Sequence, residues 1–279
     1  MPLKLMYITN KPDVARIAQS AGVDRIWIDL EVLGKEERQG HMDSVKSHHC
    51  IEDIARIRPL LIQSELLVRV NPINPNSKDE INCVIENGAD IVMLPMFKTT
   101  EEVQFFIDCI DGRAQTLLLL ETKEAVEKVD KILSVDGIDE VHIGLNDLHL
   151  VYKMKFMFEL LADGTVGWLC TKFKAKGIPY GFGGIARLGY GILPAEYVIA
   201  EHYRLGSSMA ILSRSFCNAD KIDDASKVAD VFKRGVNEIR SYETRLETKD
   251  VEFFEKNRRL ACDIVWEIAG VNNLRSLFA

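Results

Sequence analysis

The sequence predicts an α/β fold, a (β/α)8 TIM barrel, on three observations. Eight short apolar runs recur along the chain, each is followed by a stretch with helical spacing, and the turn after the first run, "YITNKPDV", lacks glycine. Eight strands alternating with helices is the count for a closed parallel barrel. The competing open doubly wound sheet normally uses fewer strands and shows a glycine-rich phosphate-binding turn after the first.

In chain order the runs are "LKLMYIT" (3–9), "RIWIDLE" (25–31), "ELLVRVN" (65–71), "DIVMLP" (90–95), "TLLLLET" (116–122), "EVHIGLND" (140–147), "YGFGGIA" (180–186) and "SSMAILS" (207–213). Near-continuous apolar character is what a strand covered on both faces requires. Stretches such as "KPDVARIAQSAG", "SKDEINCVIENGA" and "TTEEVQFFIDCI" carry apolar residues three and four apart, and several open on Thr, Ser or Asp with acids in the first turn. Two segments depart from the repeat: a long polar connection over 32–50, and a tail from Lys221 that reads as two helices. In the second, Val251, Phe254, Leu260, Ile264, Val265 and Ile268 form a stripe, expected to pack on the barrel exterior or, alternatively, against a neighbouring subunit. The expected organisation is one barrel domain over 1–279, with 250–279 as a C-terminal helical extension.

The chain has 279 residues, 47% of them apolar, a formal net charge of −7 and a pI near 5.5. That balance argues against a nucleic-acid or anionic-membrane partner, since both need a basic footprint. No apolar run approaches the roughly eighteen residues needed to cross a bilayer, and the N-terminus lacks a signal-peptide pattern. The six cysteines contain no C-x-x-C pair, which suits reduced thiols and a cytoplasmic location.

Barrel chemistry sits where strands lead into helices. There the second run ends on Asp29 and Glu31, the third on Arg69 and Asn71, the fifth on Glu121 and the sixth on Asn146 and Asp147. Neighbouring strands lie about 4.8 Å apart, and two carboxylates that close repel unless one is protonated or a cation lies between them. A hard divalent ion resolves the conflict for Glu121 and Asp147, since Mg2+ takes one or two carboxylates and keeps several waters. The alternatives are an ion pair or a cap through Thr122 for Glu121, and a helix N-cap for Asp147.

The segment "LLLLETKEAVEKVDKILSVDGIDEVHIGLNDL" resembles the metal-binding stretch of the HpcH/HpaI aldolase and citrate lyase family. Upstream, "RIWIDLE", "LLVRVN" and "NGADIVMLPMFKTTEEV" resemble its acidic strand, its substrate-arginine strand and its G-A-D-x-[IV]-M-L-P run, in the same order over about 20–150. The resemblance implies a metal-dependent aldolase: a barrel that binds Mg2+ or Mn2+ through Glu121 and Asp147. It would make or break a carbon–carbon bond beside a 2-oxo acid or an acyl thioester. It casts Arg69 as the catalytic arginine on the substrate oxygens, Asp29 and Glu31 as acids behind the metal, and the protein as a homo-oligomer; Asn71 and Asn146, by their place on the same rim, are expected as further substrate contacts. Aldolases of the family commonly read D-x-E-H after the second strand, whereas this chain reads Asp29-Leu30-Glu31-Val32. Of His41, His48 and His49 in the polar connection, His41 is the candidate base; a hydroxide held by Glu31 or Asp29 is the alternative. Lys35 and Arg38 there, and Arg187 and Arg214 after the last two strands, are candidate anion contacts. Gly183 and Gly184 read as packing positions.

The leading expectation is therefore a divalent-metal lyase acting on a hydroxylated 2-oxo acid through a pyruvate-type enolate. A citrate- or malyl-type CoA-thioester lyase or thioesterase is the second, favoured by "DLE" without histidine but lacking a clear basic cradle for CoA. A barrel that keeps its metal site without catalysis is the third.

Overall fold

The computed structural model describes residues 2–34 and 49–271. Its eight strands are β1 (Lys4–Ile8), β2 (Arg25–Asp29), β3 (Glu65–Arg69), β4 (Ile91–Leu94), β5 (Gln115–Leu120), β6 (Glu140–Ile143), β7 (Tyr180–Ile185) and β8 (Met209–Leu212). All pair in parallel, each with the next in sequence, and β8 pairs with β1 to close the barrel. Seven of the apolar runs contain one of these strands whole, and β5 begins one residue before its run.

The helices between them are α1 (Pro12–Ser20), α2 (Ile51–Ile57), α3 (Ser77–Glu86), α4 (Thr100–Ile110), α5 (Lys123–Glu127), α6 (Val129–Ile132), α7 (Leu145–Val151), α8 (Glu159–Ala162), α9 (Thr165–Lys176) and α10 (Ala195–Leu205). After β8 come α11 (Ala225–Leu246) and α12 (Val251–Ile268). The polar residues read as starts do cap: Thr99 accepts from Glu102 N–H at 3.2 Å while the Glu102 carboxylate takes Thr99 N–H at 2.9 Å, and Asp250 accepts from Phe253 N–H at 2.9 Å.

Strand alternation divides the barrel into two apolar layers. Leu5, Ile26, Val68, Val92, Leu118, Val141 and Phe182 face the helices. Met6, Trp27, Leu67, Ile91, Met93, Leu117, Leu119 and Met209 fill the interior as a separate plug. Inward positions beyond the plug are charged: Arg25 and Glu140 at the N-terminal end, Asp29 and Arg69 at the C-terminal end. The plug excludes water between the ends, so each set of charges must be compensated locally.

Of the tail, α11 straps the first strand: buried Glu243 accepts Leu3 N–H at 2.7 Å and Arg240 donates to Leu3 O at 2.8 Å. The last helix, α12, packs on the barrel exterior against α8 and α10. Its contact face corrects the expected stripe. Asn257, Ala261 and Val265 are buried, while Val251, Leu260 and Ile268 are exposed. Alanine permits close approach to α10, and Asn257 Nδ2 satisfies itself there on Tyr197 O (3.2 Å) and Glu201 Oε1 (3.1 Å). A search restricted to apolar spacing misses both.

Candidate active site

The C-terminal mouth is organised around Arg69. This last residue of β3 stands level with Asp29, the last of β2. Its Nε and Nη2 donate to Asp29 Oδ1 and Oδ2, both at 2.8 Å, and Nη1 lies 3.2 Å from Glu31 Oε2. The Trp27 ring supports the guanidinium at 5.1 Å. Burial alone would lower the Arg69 pKa, but the charges of Asp29, Glu31 and Glu121 overrule it and raise it well above the ordinary value. Arg69 therefore stays cationic. A guanidinium has five N–H donors; Asp29 takes one on Nε and one on Nη2, and Nη1 faces Glu31.

Glu121 follows β5 and is 2% exposed. Two backbone features seat it. Met96, after β4, adopts a left-handed conformation (φ 55°) and donates its N–H to Glu121 Oε1 at 3.2 Å. A non-glycine residue there costs about 1 kcal/mol, strain of a kind that collects at functional sites. On the other side, Gly144 stands level with Glu121 one residue beyond β6. A Cβ on Gly144 would lie 2.6 Å from Glu121 Oε2 and 2.8 Å from its Cβ, so only glycine leaves room for the carboxylate.

Asp147 does not close a strand as the spacing suggested. β6 stops at Ile143, and Asn146 and Asp147 lie in the first turn of α7. Asp147 is buried and Asn146 half-buried. The N-cap of α7 is Gly144 and not Asp147, whereas Thr122 does cap α5, accepting Ala125 N–H at 3.2 Å.

The remaining candidates divide. Asn71 turns its side chain to the exit of β2 and to Glu80. Half-buried His49 accepts Asp29 N–H on Nδ1 at 2.9 Å. Since an amide only donates, a neutral ring in that bond carries its proton on Nε2. His41, His48, Lys35 and Arg38 lie outside the described residues. Arg187 stacks on the Tyr190 ring at 4.2 Å and Arg214 is exposed. Gly183 is a packing position: its Cβ would meet Leu145 Cδ1 at 2.7 Å. The sequence reading singled out neither the Met96 amide nor the Gly144 gap. The Gly144 signal was present, a glycine between the last apolar residue of a strand and the first of a helix.

Four carboxylates, on Asp29, Glu31, Glu121 and Asp147, are thus buried at this end, and the first three act on the charge of Arg69. Among the described residues no three His, Cys, Asp or Glu side chains form a closed ligand cage. A hard divalent ion needs only one or two carboxylates and water, and buried Glu121 and Asp147 are donors of that type.

Residues 4–156, more than half the chain, match the model of the HpcH/HpaI aldolase/citrate lyase family. The chain belongs to that family. A hydroxypyruvate/pyruvate aldolase of Rhizorhabdus wittichii is 28% identical over 44% of this chain and 62% of its own length, so the chain spans about three fifths of that curated relative. Among solved structures, an HpcH/HpaI aldolase from Desulfitobacterium hafniense DCB-2 superposes with a TM-score of 0.60 at 16% identity, covering 86% of this chain and 93% of that one. An HpcH/HpaI aldolase/citrate lyase family protein from Burkholderia cenocepacia J2315 gives 0.61 at 14% identity, covering 86% and 95%. These likenesses concern the fold. Among the described residues no helix is long and apolar enough to cross a membrane.

Proposed function

We propose that this HpcH/HpaI family member is a divalent-metal-dependent carbon–carbon lyase acting on a hydroxylated 2-oxo acid. The observation that carries the reading is the seat of buried Glu121 at the mouth, held by Met96 N–H and given its room by Gly144, at the position where the family resemblance expects a metal ligand. Glu121 and Asp147 would hold Mg2+ or Mn2+, which when bound supplies Lewis-acid stabilisation for the charge developing on the 2-oxygen. Arg69, fixed by Asp29 and Glu31, would face the same oxygen with its charge in place before the reaction begins. Asn146 contacts the substrate from the first turn of α7. In cleavage the C3–C4 bond breaks, its electron pair passes toward C3 and the 2-oxygen, and the proton of the 4-hydroxyl leaves as C4 becomes an aldehyde. The proposed acceptor of that proton is His41.

The test is exchange of the pyruvate methyl protons in D2O with Mg2+ or Mn2+, followed by NMR. The expected result is exchange that a chelator abolishes and that Glu121→Ala reduces at least a hundredfold, about 2.7 kcal/mol of barrier. Exchange indifferent to chelator overturns the metal assignment. Metal binding without exchange leaves a ligand-binding barrel.

A further inference from the structure

Five consecutive backbone amides leave β2 toward the mouth, and each has an acceptor. Asp29 N–H donates to His49 Nδ1 (2.9 Å), Leu30 N–H to Arg69 O (2.9 Å) and Glu31 N–H to Asp29 Oδ1 (3.2 Å). Val32 and Leu33 N–H both donate to Asn71 Oδ1, at 2.9 and 3.0 Å. Of these acceptors only the Arg69 carbonyl is main chain. The β1–β2 register stops at the Ile8–Trp27 pair, and beyond it the His49 ring takes the position of the next rung. Asn71 is itself set from behind: its Nδ2 and backbone N–H both donate to Glu80 Oε1, at 2.8 and 3.2 Å. Burial pushes the Glu80 carboxyl up, against the pull of those two bonds.

We infer that His49 and the Asn71–Glu80 pair are positioning residues that clamp segment 29–33, so that the carboxylates of Asp29 and Glu31 stay on Arg69. Fixing a residue's backbone costs about 1–2 kcal/mol, and a hydrogen bond returns about 1 kcal/mol. Leu30 and Glu31 are buried but Val32 and Leu33 are exposed, so at the far end of the segment the side-chain acceptors supply what burial does not. Loosening them would loosen the hold of Glu31 on Arg69. Both lone pairs of Asn71 Oδ1 and one Nδ2 hydrogen are engaged, which leaves Asn71 at most one N–H for a substrate. The catalytic consequence rests on the function proposed above; the clamp itself does not.

The decisive pair of variants is Asn71→Asp and Asn71→Asp/Glu80→Gln. The first keeps the acceptor for Val32 and Leu33 but sets a carboxylate against Glu80. The second restores the bond with its polarity reversed, the new glutamine amide donating to the new carboxylate. Amide hydrogen exchange by NMR should show the Val32 and Leu33 amides protected in the native chain, unprotected in the single variant and protected again in the double. Pyruvate methyl exchange should fall ten- to a hundredfold in turnover, with KM within about twofold, and return in the double. His49→Ala should expose the Asp29 amide alone, which gives a second reading if Asn71→Asp does not fold. Unchanged protection in Asn71→Asp, or no recovery in the double, overturns the clamp. A raised KM that Glu80→Gln does not repair overturns it too, in favour of Asn71 as a substrate contact. If the native chain shows no pyruvate exchange the proposed function fails, and amide protection alone decides the clamp.

Discussion

At the N-terminal end of the barrel the fully buried guanidinium of Arg25 meets Glu140 through Nη1–Oε2 (2.5 Å) and Nη2–Oε1 (2.9 Å) and reaches Glu65 through Nε (2.9 Å). Lys4 adds a second cation on Glu140 at 3.1 Å. Two cations face two anions there. At the C-terminal end Arg69 pairs with Asp29 and Glu31, and Glu121 and Asp147 are buried at the same end. The same plug of apolar side chains separates the two ends, and the same inward alternation supplies both. The first set is a structural ion-pair cluster under the plug; the second gathers acids from the exits of β2 and β5 and the first turn of α7, where the proposed ligand would bind.

The largest effect should come from breaking the balanced end. In Arg25→Met the Glu140 carboxylate loses both bonds while remaining buried, and removing one partner of a buried pair costs about 3–5 kcal/mol. Denaturant midpoints should record that loss, and activity per folded molecule should not change. Arg25→Met/Glu140→Leu should recover most of it, since an apolar pair of similar volume is often neutral. The pH dependence has a definite sign. Burial would raise the Glu140 pKa, but Arg25 and Lys4 outweigh it and hold the carboxyl below its usual 4.5. Its contribution is therefore present above the unfolded value and lost as pH falls through the folded one. If Arg25→Met lowers turnover without lowering stability, the two ends are not separate in function.

A second prediction concerns the wall near the plug. His142, in β6, is buried with Nε2 3.1 Å from Gly183 O, and burial pushes its pKa down to about 4. His202, in α10, stacks on Phe182 at 3.8 Å and is pushed down to about 3, by burial and then by His142. The unfolded rings titrate near 6.5. Stability is thus whole above about pH 6.5 and falls as pH drops toward 4, by on the order of 3 kcal/mol for His142. His142→Gln should flatten unfolding free energy measured across that window. The Glu140 loss begins lower and adds to a decline the histidines have already started; a decline confined below 4.5 would contradict the histidine assignment.

The two ends were also unequally legible. Eight strands could be read because a strand covered on both faces must be apolar nearly throughout. Asp29, Arg69 and Glu121 could be placed at the mouth because a charge at the end of such a run has nowhere else to go. Asp147 was read onto the same rim, but on a strand and not on α7, because Gly144 ends β6 earlier than "HIGLND" suggests. The seat of Glu121 was less visible: the Met96 contribution is a backbone amide, which any residue carries. His49 and Asn71 act across 20 and 39 positions of chain, separations at which one sequence holds no pairing signal. The acids at the mouth were readable as the ends of apolar runs; the clamp around them depends on closure of the barrel.

The smallest effect is also the most selective. Gly144 has φ near −80°, a conformation alanine adopts without strain. The cost of Gly144→Ala is therefore one of packing, about 1–3 kcal/mol. Its Cβ would stand 2.6 Å from Glu121 Oε2 and 2.8 Å from Glu121 Cβ, so the whole side chain must shift. Displacing one oxygen ligand without removing it should weaken Mn2+ binding and pyruvate exchange by about tenfold, a change calorimetry resolves. No equivalent methyl at the balanced end would alter either quantity. If Gly144→Ala binds Mn2+ as tightly as the native chain, Glu121 is not a ligand, and the metal assignment built on it falls.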